Sequence, residues 1–582
     1  MLQVSLAAVL AATGQLQSML ELAAARQEAT GRALAACNLP TALAPLMVPR
    51  PIACFPEGSA PTPEMIAALD RAMGRFPFQD RYNIAGSWSH GLPTIVTWSL
   101  VPDGLLIPSA GISGETDSPS TLFATMDANF PSRELWIGLI QSCFDRWSQV
   151  CGIQFTRVES GSNDWDDGAE FFAPGSDSRG SIRIGMKPVG PSPLAYAYGP
   201  SNGNVVIDSN DILTFTNPAN DYRRFRNVLQ HELGHAIGLA HACPQNGTKL
   251  MEPTSTTAFD GVRHDEIRAV QVLYGDIFEP NDTSDMAADL GVLAPGAFAF
   301  GTPPAPAVTN GSTMGVSSDA DIDYYKLTAS GPTLLVANAT PIGLTYASGL
   351  QNVDGSCSGG TSANSAMIQK LEFQLLRSDL SLLGTSTGTP TATLARTLIP
   401  AGTHLLKVYS TVPHGFVNSS QLYSLSGNAI RAYVSASTSA VRRIDVTWPS
   451  ALTGASYQVF RAPVSAPGAE VSLGTTSATS LADTDVVPGV PYRYRIIAAQ
   501  PGGTPVEYEP GEGASLIAPC PADFNGDARV DDADFLIFVQ AYNILEIPGA
   551  NPWCDLTGDL VVDDQDFVVF ITGYENLVCP TR

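Results

Sequence analysis

The sequence predicts a multidomain protein, with an α+β domain followed by two β-sandwich modules and a small α-helical module with acidic loops. Three features of the chain predict this order. A histidine-rich helical motif lies at 231–241, an alternation of apolar and polar residues with Gly, Ser and Thr turns begins near residue 276, and an acidic pattern of period 32 fills 520–579. The length of 582 residues suits about four domains.

The motif at 231–241 reads H-E-x-x-H-x-x-G-x-x-H, which is the spacing of a metal site on a helix. Residues four apart lie on one face of a helix, so His231 and His235 can hold one ion. Gly238 permits the sharp turn that ends the helix and returns His241 to the same ion. Three neutral imidazoles leave the fourth position of a zinc ion open for water, and Glu232 can accept the proton of that water.

The residues around this motif resemble the matrixin group of the metzincin metallopeptidases. Met251, in Leu-Met-Glu-Pro, stands where the Met-turn of that group forms an apolar floor below the metal. The segment 265–275 has the spacing of a closing helix and ends in Gln-x-Leu-Tyr-Gly, as in matrixins. The sequence Phe-Asp-Arg-Trp from residue 144 resembles their first helix. The resemblance covers about residues 75–276.

The resemblance implies a zinc peptidase domain in which Glu232 is the general base. The segment 194–197 is similar to the edge strand along which a matrixin holds its substrate. The implied substrate-binding residues are Leu194, Ala195 and Pro253. Tyr196 and Val206 replace the histidines of a structural zinc, so we expect no second zinc. Glu252 replaces a tyrosine after the Met-turn, so the substrate preference of the group does not carry over.

Calcium in the catalytic domain is left open by the sequence. Asp208 matches an acidic position that helps to hold calcium in the family. An acidic loop nearby either binds calcium or is simply solvated: Asp164, Asp166 and Asp167.

Composition excludes several classes of function. The net charge is −25 and no basic patch occurs, which argues against a nucleic-acid partner. No run of eighteen apolar residues occurs, so no transmembrane segment is predicted. Few lysines and many Gly, Pro, Ser and Thr residues favour loop-rich modules outside the cell. Nine cysteines without a metal motif indicate disulfides in an oxidising compartment, with at least one thiol left over.

Residues 1–74 are predicted to be a signal or pro-segment. The apolar run over 2–12 has no Lys or Arg before it, so it makes a poor signal peptide, and 15–36 has the composition of a helix. The P-R-C-G motif of matrixin pro-segments is absent. Cys37 or Cys54 could still block the zinc, but a Cys37–Cys54 disulfide is the favoured interpretation.

Two β-sandwich modules are predicted after the first domain at 75–276. Residues 277–430 carry Glu-Pro-Asn-Asp-Thr and then Asp-x-Asp-Tyr-Tyr-Lys-Leu, and resemble the prepeptidase C-terminal domain. Their acidic residues either hold calcium or cap turns. Residues 431–516 resemble a fibronectin type III module, with Tyr494 as its tyrosine corner. Alternation predicts four inward-facing residues there: Trp448, Tyr457, Val459 and Tyr494.

Residues 519–582 contain two acidic loops and two matching aromatic stripes, and resemble a dockerin. Each loop has oxygen ligands at EF-hand positions 1, 3, 5, 9 and 12, so calcium binding coupled to folding is expected. The predicted calcium ligands are Asp523, Asn525, Asp527, Asp531, Asp534, Asp555, Thr557, Asp559, Asp563 and Asp566. Position 6 normally requires glycine but is Ala528 or Leu560. Cys520 and Cys579 could join the ends of this module.

These features together predict a secreted zinc endopeptidase whose substrate is a protein or peptide. The C-terminal modules would target or anchor it, including to a cell surface. The alternative is an adhesion or assembly protein that docks through its tail to a cohesin-like or cell-surface scaffold, with a secondary or inactive peptidase domain. A third interpretation is self-processing, with residues 1–74 as the chief substrate.

Overall fold

The computed structural model describes residues 51–54, as backbone, and 91–576. It leaves out short internal segments: 192, 201, 306–307, 309, 319–320, 353–354, 412–419, 441, 451–453, 488–489, 500–504, 515–521, 526–529 and 547–548. The predicted helix over 15–36 and most of the predicted pro-segment lie outside the described residues. No described helix is both long enough and apolar enough to cross a lipid bilayer.

The first domain is built on a six-stranded, mostly parallel sheet with the order β1-β7-β8-β6-β2-β5. Its strands are β1 (Pro51–Cys54), β2 (Thr94–Leu100), β5 (Ile153–Arg157), β6 (Ile182–Lys187), β7 (Ala195–Tyr198) and β8 (Val205–Asp208). Two short strands, β3 (Leu106–Ile107) and β4 (Ser118–Pro119), pair beside the sheet. Strand β7 runs antiparallel to β8, and β1 antiparallel to β7, whereas the other pairs are parallel. Strand β6 is buried throughout, as expected for a central parallel strand.

Among the described residues, this domain has five α-helices: α1 (Leu122–Asn129), α2 (Arg133–Ser148), α3 (Ile212–Phe215), α4 (Arg223–Ala236) and α5 (His264–Tyr274). A 3-10 helix (Ser209–Asp211) precedes α3. Helix α2 begins at Ser132, whose hydroxyl accepts the backbone N–H of Leu135 as an N-cap. Trp98 of β2 stacks on Phe144 of α2, with ring centroids 4.4 Å apart. Helix α2 is thereby held against the sheet.

Helix α4 carries the histidine motif and is buried from residue 225 to its end. Trp147 of α2 donates its indole N–H to the Gln230 carbonyl at 3.1 Å. Tyr274, the last residue of α5, donates its hydroxyl to the Ile237 carbonyl at 2.7 Å. These two bonds fix both the middle and the C-terminal end of α4.

The second domain is a β-sandwich of two principal sheets. One has the order β10-β13-β20-β17-β18 and the other β11-β21-β14-β19, with β12 paired to β21. The strands are β10 (Ala288–Val292), β11 (Gly296–Phe300), β12 (Met314–Val316), β13 (Ile322–Ala329), β14 (Thr333–Pro341), β17 (Leu371–Arg377), β18 (Leu382–Thr385), β19 (Ala392–Ile399), β20 (Gly402–Ser410) and β21 (Gln421–Arg431). A smaller sheet, β16-β15-β9, joins β15 (Thr345–Leu350) and β16 (Thr361–Asn364) to β9 (Ala242–Cys243) of the first domain. A 3-10 helix (Ser365–Met367) follows β16.

The third domain is a smaller sandwich with sheets β22-β23-β26 and β25-β24-β27-β28, in which β29 also pairs with β27. Its strands are β22 (Ser435–Ala440), β23 (Arg443–Thr447), β24 (Ser456–Pro463), β25 (Val471–Thr476), β26 (Ser480–Asp483), β27 (Pro491–Ala499), β28 (Val506–Glu507) and β29 (Gly511–Ala514). The four predicted inward residues are buried in its core. The Tyr494 hydroxyl bonds to the Asp483 carboxylate at 2.7 Å, rather than to backbone as a tyrosine corner does.

The C-terminal region contains α6 (Asp532–Tyr542), a 3-10 helix (Pro552–Cys554) and α7 (Asp564–Asn576). The two aromatic stripes of the repeat face each other, and Phe538 stacks on Phe570 with centroids 5.1 Å apart. The hydroxyls of Tyr542 and Tyr574 bond reciprocally to Asp564 and Asp532 at the starts of the opposite helices. The sequence repeat is therefore also a repeat of contacts.

Apolar residues of the second domain pack into the cores of both neighbouring domains. Val308 and Leu422 of the second domain pack in the first core, and Leu334 and Leu398 pack in the third. The predicted boundaries at 276, 430 and 516 stay predictions.

Among the described residues, Cys243 and Cys357 form a disulfide between the first and second domains. Three described thiols are free and buried: Cys143, Cys151 and Cys554. The predicted pairings of Cys37 with Cys54 and of Cys520 with Cys579 cannot be followed, because Cys37, Cys520 and Cys579 lie outside the described residues.

Helix α4 approaches the side chain of Met251 closely at Gly234. A Cβ at Gly234 would lie 2.5 Å from Sδ of Met251 and 3.3 Å from Cζ2 of Trp147. We predict that Gly234→Ala destabilises the first domain by about 1–3 kcal/mol, the usual cost of overpacking a core. The measurement is chemical unfolding followed through tryptophan fluorescence.

Gly138 provides the matched control, since it lies on the exposed face of α2 with no atom near the position of an added Cβ. Gly138→Ala should stabilise the domain by about 0.5–1 kcal/mol through helix propensity alone. Equal stability of the two variants would contradict the packing described for Gly234.

Candidate metal centre

The structure brings the three histidines of the motif together at the end of α4. His231 and His235 are buried on one face of the helix, and their Nε2 atoms are 3.0 Å apart. His241 follows the turn, and its ring centroid is 4.7 Å from that of His235 and 5.3 Å from that of His231. One nitrogen of each ring lies within 4.8 Å of the others. The predicted ligands therefore converge on one point.

Each of these rings has an oxygen acceptor at Nδ1, which determines its tautomer. Nδ1 of His231 lies 2.7 Å from the Leu250 carbonyl, and Nδ1 of His235 lies 2.7 Å from the Leu239 carbonyl. A carbonyl can only accept, so both Nδ1 atoms carry the hydrogen. The lone pair of each neutral ring is then on Nε2, which faces the common point.

The third ring follows the same rule with a side chain as acceptor. Nδ1 of His241 lies 2.9 Å from Oε1 of Gln351, and no described residue forms a hydrogen bond with its Nε2. Lone pairs that face one another repel unless a cation lies between them. Three neutral imidazole nitrogens are the donor set of catalytic zinc, with a fourth position open for water. The residues present therefore fit zinc.

Burial keeps the three imidazoles neutral. Removal from water lowers the pKa of His231 to about 3 and that of His241 to about 4. The pKa of His235 is held well below its usual value by burial and then by the other two rings. A metal ligand must offer an unprotonated nitrogen, so the site is ready to bind metal at neutral pH.

The structure also describes Glu232, Gly238 and Met251. Glu232 is fully buried on α4, next in sequence to His231. Helix α4 ends at Ala236, and Gly238 has a φ of 108°, a backbone angle that favours glycine. Met251 is buried, and its carbonyl accepts the N–H of Ala242 at 2.8 Å.

Two buried glutamates shape the loop after the metal ligands, and the sequence analysis assigned neither of these contacts. The carboxylate of Glu252 accepts the backbone N–H groups of residues 246–249 at 2.7–3.0 Å, so it organises the loop. Glu266 of α5 accepts the N–H of Met251 at 3.0 Å, and burial raises its pKa to about 7. The only sequence signal that could have indicated the role of Glu252 is a carboxylate close to a run of loop residues, whose successive backbone N–H groups it can accept.

Strand β7 has a neighbour on its outer side, so it is not the outermost described strand of the sheet. Strand β1 pairs with it antiparallel, with Ile52 opposite Ala197 and Cys54 opposite Ala195. Leu194 precedes β7, packs in the core and gives its carbonyl to the N–H of Asp208 at 2.9 Å. The three predicted substrate-binding residues are all buried: Ala195 within β7, Leu194 just before it and Pro253 after Met251.

The acidic loop at 164–167 has one buried carboxylate, that of Asp166, whereas Asp164 is partly exposed and Asp167 is exposed. Asp166 is buried and receives two hydrogen bonds from Arg183, at 2.7 and 2.8 Å. Asp167 is paired with Arg179, and Asp164 with Arg133. Arginines therefore neutralise these carboxylates.

The two other positions singled out in this domain also have partners. Asp208 accepts the N–H groups of Val189 and Asn210 at 3.0 and 2.9 Å, and burial raises its pKa. Tyr196 donates its hydroxyl to Glu115 at 2.8 Å.

A second group of converging ligand atoms lies at the start of the second domain. Glu279, Asp321 and Asp323 are buried and place one carboxylate oxygen each within 4.8 Å of the others. Burial, together with the neighbouring carboxylates, raises the pKa of Glu279 to about 9 and that of Asp321 to about 6. Asp276 lies beside them, and its pKa is raised to about 8. Because no described basic residue pairs with these buried acids, protonation or a bound cation is favoured.

One oxygen of this group supports a cation. Oδ1 of Asp321 is buried and has no hydrogen-bond partner among the described residues. The Asn281 amide faces Oδ1 of Asp323 and Oε2 of Glu279, each at 3.2 Å. Its NH2 can donate to both carboxylates, or its oxygen can face them, which is favourable only around a positive ion.

The acidic loops of the C-terminal repeat have matching hydrogen bonds. Asp534 accepts the N–H groups of Asn525 and Asp531, and Asp566 accepts those of Thr557 and Asp563. Asp531 and Asp563 accept the N–H two residues on, at the first turns of α6 and α7. Three carboxylates of the second loop lie within 4.8 Å of one another: Asp555, Asp559 and Asp566.

In the first loop, Asp523 is buried beside Asn525, and Asp527 lies outside the described residues. In the second loop, Leu560 stands at position 6 with a φ of 73°, so this non-glycine residue adopts the left-handed turn of an EF-hand loop.

Comparison with known proteins gives a family for part of the chain. Residues 126–275 match the family model of matrixins (Peptidase_M10). A 147-residue stretch is 32% identical to matrix metalloproteinase-18 of Xenopus laevis, covering 24% of this chain and 29% of that protein. Another of 149 residues is 29% identical to interstitial collagenase of Bos taurus, covering 23% of this chain and 27% of that protein. This chain thus spans less than a third of the length of either relative.

Among solved structures, the match to an Fn3-like protein from Clostridium thermocellum has 25% identity and a TM-score of 0.13, covering 14% of this chain and 86% of that one. A score so low carries no argument about the fold. The sequence matches and the histidine geometry agree with each other, and they identify residues 126–275 as a matrixin domain of the zinc metalloendopeptidase type.

Proposed function

We propose that this chain is a secreted zinc endopeptidase that hydrolyses peptide bonds in extracellular proteins. The observation that carries the proposal is the convergence of three buried, neutral imidazoles at the end of a helix that also carries the buried carboxylate of Glu232. The matrixin match over residues 126–275 supports it.

His231, His235 and His241 would hold the metal through Nε2. Bound zinc would polarise the scissile carbonyl and lower the pKa of its water to about 7. Glu232 follows His231 on α4, so its carboxylate can accept the proton of the attacking water and deliver it to the leaving amine. The Nδ1–H bonds keep the ligand rings fixed during these steps.

The substrate would bind as an extended strand along β7. An open strand edge offers unpaired N–H and C=O groups, to which a peptide can add by backbone hydrogen bonds. Strand β1 already uses this edge, which supports a role for residues 1–74 as a pro-segment that competes with substrate.

The general-base assignment predicts that Glu232→Gln lowers kcat/KM on a denatured protein by about 10²–10⁴-fold. The amide is nearly the same size but cannot accept the proton. Zinc content should remain one per chain, because the three imidazoles are unchanged.

Glu134→Gln on the exposed first turn of α2 is the matched control, and it should retain full activity. Undiminished cleavage by Glu232→Gln would refute Glu232 as the base.

The position of β1 predicts that removal of residues 1–74 increases cleavage of a short peptide by at least about 10-fold. A tethered strand acts at an effective concentration of about millimolar, which a dilute peptide cannot match. The comparison is kcat/KM of the full and shortened chains at equal zinc content. Equal values would show that β1 does not block the edge. Release of the segment by wild type but not by Glu232→Gln, seen by mass spectrometry, would support self-processing.

We also propose that the buried carboxylates at the start of the second domain bind calcium. Calcium takes six to eight oxygen ligands, and this site offers carboxylates, an amide and adjacent backbone. The acidic loops of the C-terminal repeat would bind calcium as in a dockerin, supported by the cluster of Asp555, Asp559 and Asp566.

If calcium binds at this site, the stability of the folded chain should depend on pH differently with and without the ion. Without calcium, the pKa values of Asp276 and Glu279 are about 8 and 9 in the folded chain, above their usual values. Their contribution to stability is then complete below about pH 4 and is lost as the pH rises towards 9. Calcium should remove this loss by occupying the ionised site.

Thermal unfolding at pH 5 and pH 8, with calcium or with a chelator, measures this effect. Calcium should raise the midpoint more at pH 8. Asp323→Asn should abolish the increase for the sandwich transition, whereas Asp555→Asn, which alters only the distant loop, should leave it intact. An equal midpoint with and without calcium at pH 8 would contradict the site.

The C-terminal modules would anchor the enzyme to a cell surface or to a cohesin-like scaffold. The reciprocal bonds between the two halves of the repeat support a folded docking module rather than an acidic tail. The intact metal site favours an active peptidase over the alternative of an adhesion protein with an inactive domain.

A further inference from the structure

The third metal ligand receives its hydrogen-bond partner from another domain. His231 and His235 bond through Nδ1 to backbone carbonyls of Leu250 and Leu239, within the first domain. His241 instead bonds to Gln351, which is 110 residues farther along the chain and follows β15 of the second domain. The first domain alone therefore lacks this partner.

The Gln351 amide has a fixed orientation. Its Nε2 donates to the Gly355 carbonyl at 2.7 Å, so its Oε1 is the atom that faces His241 at 2.9 Å. The loop that carries it is closed on itself: the N–H of Asn352 donates to the Ser356 carbonyl at 2.8 Å. The acceptor is therefore held in place before any metal binds.

Two further contacts join this loop to the segment that carries His241. Strand β9, which begins immediately after His241, pairs antiparallel with the end of β15, with Ala242 opposite Leu350 and Cys243 opposite Gly349. The disulfide then links Cys243 to Cys357. His241 and Gln351 are thus each adjacent in sequence to the paired strands, which keeps their side chains in register.

We propose that Gln351 is a positioning residue for the zinc site and that the second domain thereby completes the metal centre of the first. Its carbonyl oxygen accepts the Nδ1–H of His241, so it selects the tautomer with the lone pair on Nε2 and fixes the plane of the ring. This inference rests on the proposed zinc site, because a ring without a metal has no ligand role to be positioned for.

In other metal sites, loss of the residue that hydrogen-bonds to a ligand histidine lowers metal affinity by about 10–100-fold. Without Gln351, Nδ1 of His241 loses its acceptor, so the ring can rotate about its Cβ–Cγ bond and either tautomer becomes accessible. The two helical ligands keep their own carbonyl partners. Zinc would therefore still bind, but more weakly and with a less regular geometry.

The experiment measures zinc affinity of the full-length chain by competition with a chromophoric chelator. Gln351→Met keeps the length of the side chain but offers only a weakly accepting sulfur, and its affinity should fall by about 10–100-fold. Gln351→Glu keeps a strong acceptor oxygen for His241 while losing the bond to Gly355, so it should bind zinc more tightly than Gln351→Met does. The visible spectrum of the cobalt-loaded chain reports ligand geometry and should change more with Gln351→Met than with Gln351→Glu.

Asn352→Ala is the matched control, since Asn352 lies in the same loop and bonds to Ser356 rather than to the metal ligand. It should leave zinc affinity and the cobalt spectrum unchanged. Unchanged affinity of Gln351→Met, or an equal loss in Gln351→Met and Asn352→Ala, would overturn the proposal while the zinc peptidase stands. Absence of zinc binding by the wild-type chain would instead refute the proposed function itself.

Discussion

The convergence of three neutral imidazoles is the constraint on which the account depends. A buried ring loses the hydration of its charged form, so it stays neutral, and an oxygen acceptor at Nδ1 then directs the lone pair to Nε2. The surrounding structure supplies those acceptors. The turn at Gly238, the loop through Leu250 and the second domain each provide one element of the arrangement. Helix α4 determines the spacing of the ligand residues, and the loops determine the direction in which the ring nitrogens point.

The buried carboxylates of the molecule are compensated in two different ways. In the first domain, Asp166 is matched by Arg183, and Glu252 by successive backbone N–H groups, so these carboxylates are satisfied within the protein. At the start of the second domain, the buried acids accept hydrogen bonds from backbone N–H groups and from the Tyr423 hydroxyl, but they have no basic neighbour among the described residues. Their charge is therefore neutralised only by protons or a cation. That difference is why calcium is proposed there and not in the loop at 164–167.

The local parts of the site could be predicted from sequence because they depend on short spacings. Four-residue spacing places His231 beside His235, and a glycine three residues later indicates the turn. Partners distant in sequence could not be predicted. Nothing in the residues pairs Cys243 with Cys357 among nine cysteines, or Asp166 with Arg183. The contact between Gln351 and His241 depends on the docking of two domains, which has no local pattern.

X-ray absorption at the zinc edge of the zinc-loaded, full-length chain is the most direct test of the central claim. The account predicts a first shell with three imidazole nitrogens at about 2.0–2.1 Å and an open position occupied by a light atom. A shell with fewer than three imidazoles would contradict it.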